Sequence, residues 1–520
     1  MAAESSEAAD NTYWNLVDDA ARSRPSHVVL SDDYGRELTT RDLRDAGLQT
    51  AAALAERGVT GGTVVSWQLP TTLETMVVMV ALSRLGAVQN PILPIWRKNE
   101  VTHALSQIGA QVYIVPRAWR GYDHAALAQQ MSQSHGTRAV VLDFDGPPAN
   151  LNLRLPTGEP DQLGPVPTSS RVVRWIYYSS GTTSAPKGIQ HSDATIIAGT
   201  SGILNLVGTV SDDIYPIAFP VSHIGGAATL AAALITGMRL VLFDAFDPAT
   251  TPFAMAAHRP TLLGSATPFF AAYLAAQDRH GTQPLFGELR GCTGGGAPIT
   301  AELAQRVRDG LGVPGIANAW GLTEFPVATT PSATAGPEVL DHTVGHPVAG
   351  VHVRVVGQGE SDAEPGALGE LRLKGPQCFL GYVDSTLDTD AFDADGWFRT
   401  GDQGCVDVDG NVRVTGRLKD AIIRNAENIS AQEVEEAVAT HAHVDDVAVI
   451  GVPDERTGER VCAIVVPTAG ATVAVADLAA HCDAQGLSRY KWPERVELVD
   501  ALPRNLTGKV LKAELRQRFS

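Results

Sequence analysis

The segment Ser179-Ser-Gly-Thr-Thr-Ser-Ala-Pro-Lys187 concentrates hydroxyls and a glycine in one short stretch that ends on a lysine, directly after the β-rich run Val172 to Tyr178. A loop of this composition can offer backbone N–H groups at Gly181, hydroxyl donors at Ser179, Ser180, Thr182 and Thr183, and the Lys187 ammonium to a polyphosphate. It is not the G-x-x-x-x-G-K-[ST] loop, because Lys187 is followed by Gly188 and Ile189. The competing reading is an ordinary Ser/Thr/Gly surface loop. Alone, the segment speaks for phosphate and says nothing about a reaction.

Four further segments stand downstream: Asn318-Ala-Trp-Gly-Leu-Thr-Glu324, Trp397-Phe-Arg-Thr-Gly-Asp402, Gly416-Arg-Leu-Lys-Asp420 and Pro503-Arg-Asn-Leu-Thr-Gly-Lys509. Together with the loop, in this order, they resemble the motifs of the adenylate-forming superfamily, which includes acyl-CoA synthetases, luciferases and peptide-synthetase adenylation domains. The resemblance implies binding of ATP. Glu324 offers a hard carboxylate oxygen to Mg²⁺ and Thr323 a hydroxyl beside the phosphates. Trp320 presents a flat ring to adenine, flanked by Asn318 and Gly321, and Gly294 to Pro298, with Gly295, Gly296, Ala297 and Pro298, lets backbone approach a planar base. Asp402 accepts hydrogen bonds from ribose hydroxyls, and Arg417 reaches ribose or phosphate. Taken singly, each of these has a bland alternative as a surface charge or tight turn.

Lys509 is the residue expected to carry adenylation, with Glu324, Thr182 and His223 as the other catalytic candidates. When a carboxylate attacks the α-phosphorus, charge builds on crowded oxygens, and an ammonium there stabilises the transition state more than the ground state. His223, in Ala218-Phe-Pro-Val-Ser-His-Ile-Gly-Gly226, resembles the family's acyl-pocket gate, with Ile224, Gly226 and Ala319 beside it; a structural histidine is the alternative. The resemblance further implies a small domain that swings about Lys419, replacing the Lys509 face with the face from Arg424, Asn425, Ala426 and Glu427 to Ile429. Coenzyme A would then attack the adenylate. Here Asn425 and Ala426 stand where many relatives carry Gly-Gly, and Ala tolerates positive φ poorly.

The expected reaction is therefore ATP-dependent, AMP-forming ligation of a carboxylic acid to CoA, with ATP and Mg²⁺ as cofactors, CoA as acceptor, and fatty-acid or lipid metabolism as the setting. Phe219-Pro-Val-Ser222 carries no aspartate for a substrate amine, and Gly225, Ala228 and Ala319 are small and apolar. A medium-chain, alicyclic or other bulky apolar acid is expected, in keeping with a resemblance of Asn90 to Trp96 to ligases of such acids. The chain ends 11 residues after Lys509, which favours a diffusible thiol over a fused carrier domain. The alternatives are an acyl-AMP ligase loading a free-standing carrier protein and a non-catalytic nucleotide-binding protein.

Positioning these groups falls to an α/β chain of 520 residues. Short β-rich runs such as Thr63 to Trp67, Val112 to Val115 and Ala139 to Leu142 alternate with apolar helical patterns, the signature of a mostly parallel, helix-covered sheet. From about 345 to 415, short strands with Gly-rich turns point to a β subdomain. The expected organisation is a large N-terminal domain of layered α/β sheets over 1–418 and a small mobile α/β domain over 419–520. The charge balance, 58 acidic against 40 basic residues for a net of −18, argues against nucleic-acid or anionic-membrane partners. Lys187, Arg417, Arg424 and Lys509 are accordingly expected to form a local basic island. Five scattered cysteines, an acidic N-terminus without signal-peptide features and no transmembrane run point to a cytoplasmic protein with free thiols. The oligomeric state is open, homo-oligomers included.

Overall fold

The computed structural model describes residues 11–144, 152–179, 186–206, 208–296, 299–332, 335–424, 427–454, 457–505 and 508–519. The fold is mixed α/β, a large N-terminal domain followed by a small C-terminal one. Its first sheet orders the strands Lys187–Ser192, Val173–Ser179, Val88–Pro91, Val64–Trp67, Val112–Pro116 and Arg138–Leu142. The last four are parallel to their neighbours, as βαβ alternation requires, while the first two form an antiparallel hairpin at the edge.

The helix Leu73–Leu85 explains the long apolar run near Met76. Thr72 caps it by accepting from the Thr75 N–H, Gly86 ends it at φ 66°, and its residues from Leu73 to Arg84 are buried. A helix apolar on every side belongs inside a core. Among the described residues no helix is long and apolar enough to cross a membrane.

A second sheet sets Ile214–Ile217, Arg239–Leu242 and Val28–Asp32 in parallel, with Glu37–Thr39 antiparallel at its edge. A third places Leu262–Ser265, Gly291–Gly295 and Ile316–Leu322 in parallel, and the chain then doubles back through Phe325–Thr330. The predicted β-rich stretch is a four-stranded antiparallel sheet of His352–Val356, Gly369–Lys374, Phe398–Val406 and Val412–Arg417.

One 3-10 turn, Leu418–Asp420, leads into the C-terminal sheet. There Val444–Asp454 pairs with Gly458–Pro467, and the helix Ala431–Ala439, capped by Ser430, closes a core of Val434, Val438, Val449, Val461, Val465 and Leu478.

Candidate active site

A cavity of about 850 Å³ is walled by segments of both domains. Its polar end is built from the edge hairpin. Lys187 sits opposite Ser179 in the antiparallel register, so both ends of the connecting loop are pinned side by side. Ser180, Gly181, Thr182 and Thr183 lie outside the described residues, as do Ala297, Pro298, Asn425 and Ala426. His103 Nε2 meets the Pro186 carbonyl at 2.9 Å and so anchors the loop's exit.

Two residues that sequence reasoning did not single out organise this end. The segment around Tyr382 runs antiparallel to Lys187–Ser192, bridged at Ile189. Tyr382 Oη donates to Glu324 Oε1 at 2.9 Å, and Lys187 Nζ stands 5.2 Å from the centre of the same ring, within cation–π reach. Burial, reinforced by the Glu324 charge, raises the Tyr382 pKa, so the phenol stays a donor. His191, fully buried, bonds the Thr323 carbonyl through Nε2 at 2.8 Å and Thr195 Oγ1 through Nδ1 at 2.9 Å. A carbonyl only accepts, so Nε2 carries the proton and Nδ1 accepts from Thr195. Burial pushes this histidine down to about 4. No local signal marks Tyr382 or His191, because each acts on a residue far away in sequence.

Among the described residues no group of three or more His, Cys, Asp or Glu side chains is arranged to hold an ion. The donor set fits Mg²⁺ nonetheless, since that ion takes one or two carboxylates and completes its shell with phosphates and water. Glu324, on the cavity wall, offers such a carboxylate.

Gly295, Gly296, Trp320, Gly321 and Arg417 form a further part of the cavity wall, whereas Asn318 and Asp402 stand behind it. Gly296 has φ 76°, and a Cβ on Gly321 would come within 2.5 Å of the Val327 nitrogen, so both positions need glycine. Asp402 faces Arg417 across the β ladder. Its carboxylate takes the Trp320 indole N–H at 2.8 Å and the Arg417 Nε at 2.5 Å. Burial raises the Asp402 pKa, opposed by Arg417 and by the indole bond. Trp320 is therefore held edge-on by Asp402, and a carboxylate with about four lone-pair sites keeps room for further donors.

Lys509 reaches this wall from the C-terminal domain, beside Arg417 and Lys419. Burial first, then the Arg417 charge, lowers its pKa. Its N–H donates to Asn505 Oδ1 at 2.9 Å, and the preceding Gly508, at φ 81°, abuts Pro268 of the large domain so closely that a Cβ would stand 2.6 Å from it. Arg424 corrects the expected basic island. It is off the cavity wall and doubly bonded to Glu494 at 2.8 and 2.9 Å, because its strand Ile422–Arg424 pairs with Glu427–Ile429, where Glu427 sits, on another face of the small domain. The basic residues on the cavity wall are Lys187, Arg399, Arg417, Lys419 and Lys509.

The cavity also has an apolar lining, which includes Leu206, Met238, Leu262, Phe269, Phe219, Ile224 and Ala319. His223 stands at the N-cap of the helix Ile224–Thr236, and burial pushes its pKa down to about 4, which keeps the ring neutral. Gly226 lies behind the wall, where a Cβ would strike the Val221 carbonyl at 2.1 Å. It permits the tight entry into that helix.

Residues 17–383 match the family described as AMP-binding enzyme, and residues 433–509 match the AMP-binding enzyme C-terminal domain. The chain is 28% identical to the medium-chain fatty-acid–CoA ligase of Escherichia coli over 97% of its own length and 89% of that protein. It is 31% identical to the salicyl-AMP ligase / salicyl-S-ArCP synthetase of Mycobacterium tuberculosis, over 96% of this chain and 90% of that one. Among solved structures, ATP-bound MatB from Rhodopseudomonas palustris superposes with a TM-score of 0.85 at 25% identity, covering 97% of this chain and 99% of that chain.

Proposed function

The chain belongs to the AMP-binding enzyme family, a family of adenylate-forming acyl and aryl acid ligases, and from that premise we propose that it joins an uncharged, apolar carboxylic acid to coenzyme A through an acyl-adenylate. The observation that carries this reading is one cavity lined both by Lys187, Arg417 and Lys509 and by apolar side chains with His223 among them. Such a lining suits a polyanion and an apolar acid together, with the acid's carboxylate turned to the cations.

In the first step the carboxylate oxygen attacks the α-phosphorus, the bond to the bridging oxygen breaks, and pyrophosphate leaves. Lys187 holds the outer phosphates with Ser179 and the loop beyond it, Thr182 included. Lys509, itself partly buried, stabilises charge developing on the α-phosphate. Glu324, held by Tyr382, would bind Mg²⁺, which supplies further neutralisation of phosphate charge. Trp320 packs against adenine, and Asp402 and Arg417 meet the ribose.

In the second step the thiol sulfur attacks the acyl carbon, the bond to the AMP oxygen breaks, and the thiol proton passes to solvent. We place a pivot at Lys419, dividing 1–418 from 419–520, about which the small domain turns the Arg424 to Ile429 face toward the site. A free-standing carrier protein is the second reading for the acceptor, favoured by the likeness to the salicyl-S-ArCP synthetase. The five free cysteines suit a cytoplasmic setting.

The deciding experiment measures ATP-dependent pyrophosphate release with a panel of apolar carboxylic acids, with and without CoA. Pyrophosphate release followed by CoA-dependent AMP and thioester supports the proposal. Pyrophosphate release with no thioester on CoA refutes the CoA acceptor and leaves adenylation intact. The variant Lys509→Ala should cripple adenylation and largely spare thioester formation from supplied acyl-AMP, whereas equal losses would refute the two-face assignment.

A further inference from the structure

On the far side of His223 lies a second cavity of about 10 Å³, which shares His223, Ile224, Tyr178 and Thr323 with the large one. Three residues on its wall carry buried polar atoms without a hydrogen-bond partner among the described residues: Tyr177 Oη, Ser222 Oγ and His223 Nε2. Tyr177 and Ser222 are 2% and 4% exposed, so bulk water does not reach them. Leaving a buried polar group unsatisfied is costly, and three sharing one pocket call for a common partner. A buried water needs roughly 10–15 Å³ and two to four polar partners. The cavity meets both requirements, and among the described residues no carboxylate, lysine or arginine lines it to select an ion instead.

We propose that Tyr177, Ser222 and His223 hold one ordered water, and that this water anchors the His223 ring from behind the acyl recess. Tyr177 and Ser222 are hydroxyls that can each donate and accept, so the water can complete all three groups. The helix N-cap does not use the ring, since His223 makes no side-chain capping bond. The anchor therefore fixes the tautomer and plane of a polar ring on the wall of the large cavity. Tyr177 comes from the strand Val173–Ser179 and Ser222 from the turn before the helix Ile224–Thr236, so the water also ties the phosphate hairpin to the acid recess. Both are positioning residues, acting through His223 without facing the acid.

The water site itself does not depend on the ligase reading, and only its kinetic effect rests on it. A crystal structure of the whole protein at water-resolving resolution should show a peak within hydrogen-bond distance of all three atoms. Protein labelled with ¹⁵N-histidine should show His223, assigned by its loss in His223→Gln, as a single neutral tautomer. In Ser222→Ala and Tyr177→Phe that signal should become a tautomer mixture. The Michaelis constant for the acid should rise roughly 3- to 10-fold, the worth of one hydrogen bond, with that for ATP within about twofold. A wild-type crystal without the peak, or a His223 signal unmoved in both variants, overturns the proposal. Should no acid be adenylated, the ligase reading fails while the crystal and the ¹⁵N signal still decide the water.

Discussion

Replacing Tyr382 with Phe removes one hydroxyl and leaves the ring under Lys187 in place. In the native protein that hydroxyl donates to Glu324 Oε1 at 2.9 Å. A hydrogen bond to a charged group contributes roughly 1.5–3 kcal/mol, or about 10- to 150-fold in rate at 1.36 kcal/mol per decade. Glu324 is only half-buried, and water can replace part of the lost bond, which puts the expected loss near the lower bound, roughly tenfold. ATP–pyrophosphate exchange measured over a range of Mg²⁺ concentrations is the assay. Tyr382→Phe should need more Mg²⁺ for half-maximal exchange, because the carboxylate it orients would hold the ion. In a Tyr382→Phe/Glu324→Gln double variant the tyrosine effect should shrink, since its partner is already altered. Exchange within twofold of wild type at every Mg²⁺ concentration, or strictly additive losses in the double variant, would refute the reasoning.

Three other outcomes are expected. His191 has a folded-state pKa of about 4 against 6.5 unfolded, so the unfolded chain binds the extra proton first and stability falls as pH drops from about 6.5 to about 4, by up to roughly 3 kcal/mol. Urea midpoints of wild type and His191→Gln should converge across that window; parallel curves would exclude His191 as the source. Because the Lys509 pKa is lowered by burial and by Arg417, adenylation should decline on the alkaline side before the ordinary lysine range, and Lys509→Arg should move that limb upward in a pH–rate profile. An unmoved limb would assign it to another group. Arg424→Ala should leave ATP–pyrophosphate exchange within about threefold and slow thioester formation from supplied acyl-AMP by about tenfold or more, about what loss of one charge-assisted contact gives; equal effects on both steps would contradict the pivot.

Much of the architecture is legible in local sequence. Parallel strands such as Val112–Pro116 are buried on both faces and read as continuous apolar runs. The helix Leu73–Leu85 carries its own start and stop in Thr72 and Gly86. The glycines at 296 and 321 are dictated by backbone that only glycine accepts. Tyr382 and His191 were not legible. Their partners lie 58 and 132 residues away, and a lone Tyr or His has no spacing that announces a contact made by packing. The orphan atoms of Tyr177, Ser222 and His223 are likewise visible only when a strand and a helix turn meet around one small cavity.

By itself, the sequence determined the kinds of chemistry on offer: a hydroxyl-rich loop ending in Lys187, a Thr323–Glu324 pair, an Asp402 and an Arg417, and a lysine at 509 in an ordered series of motifs. It could not decide which face of the small domain meets the cavity. Lys509 lines the cavity and Arg424 does not. The 3-10 turn at Leu418–Asp420 and the close contact of Gly508 with Pro268 set that domain's orientation, with Lys509 inward and Arg424 held on Glu494. That choice depends on contacts between distant surfaces, which no local pattern of residues encodes.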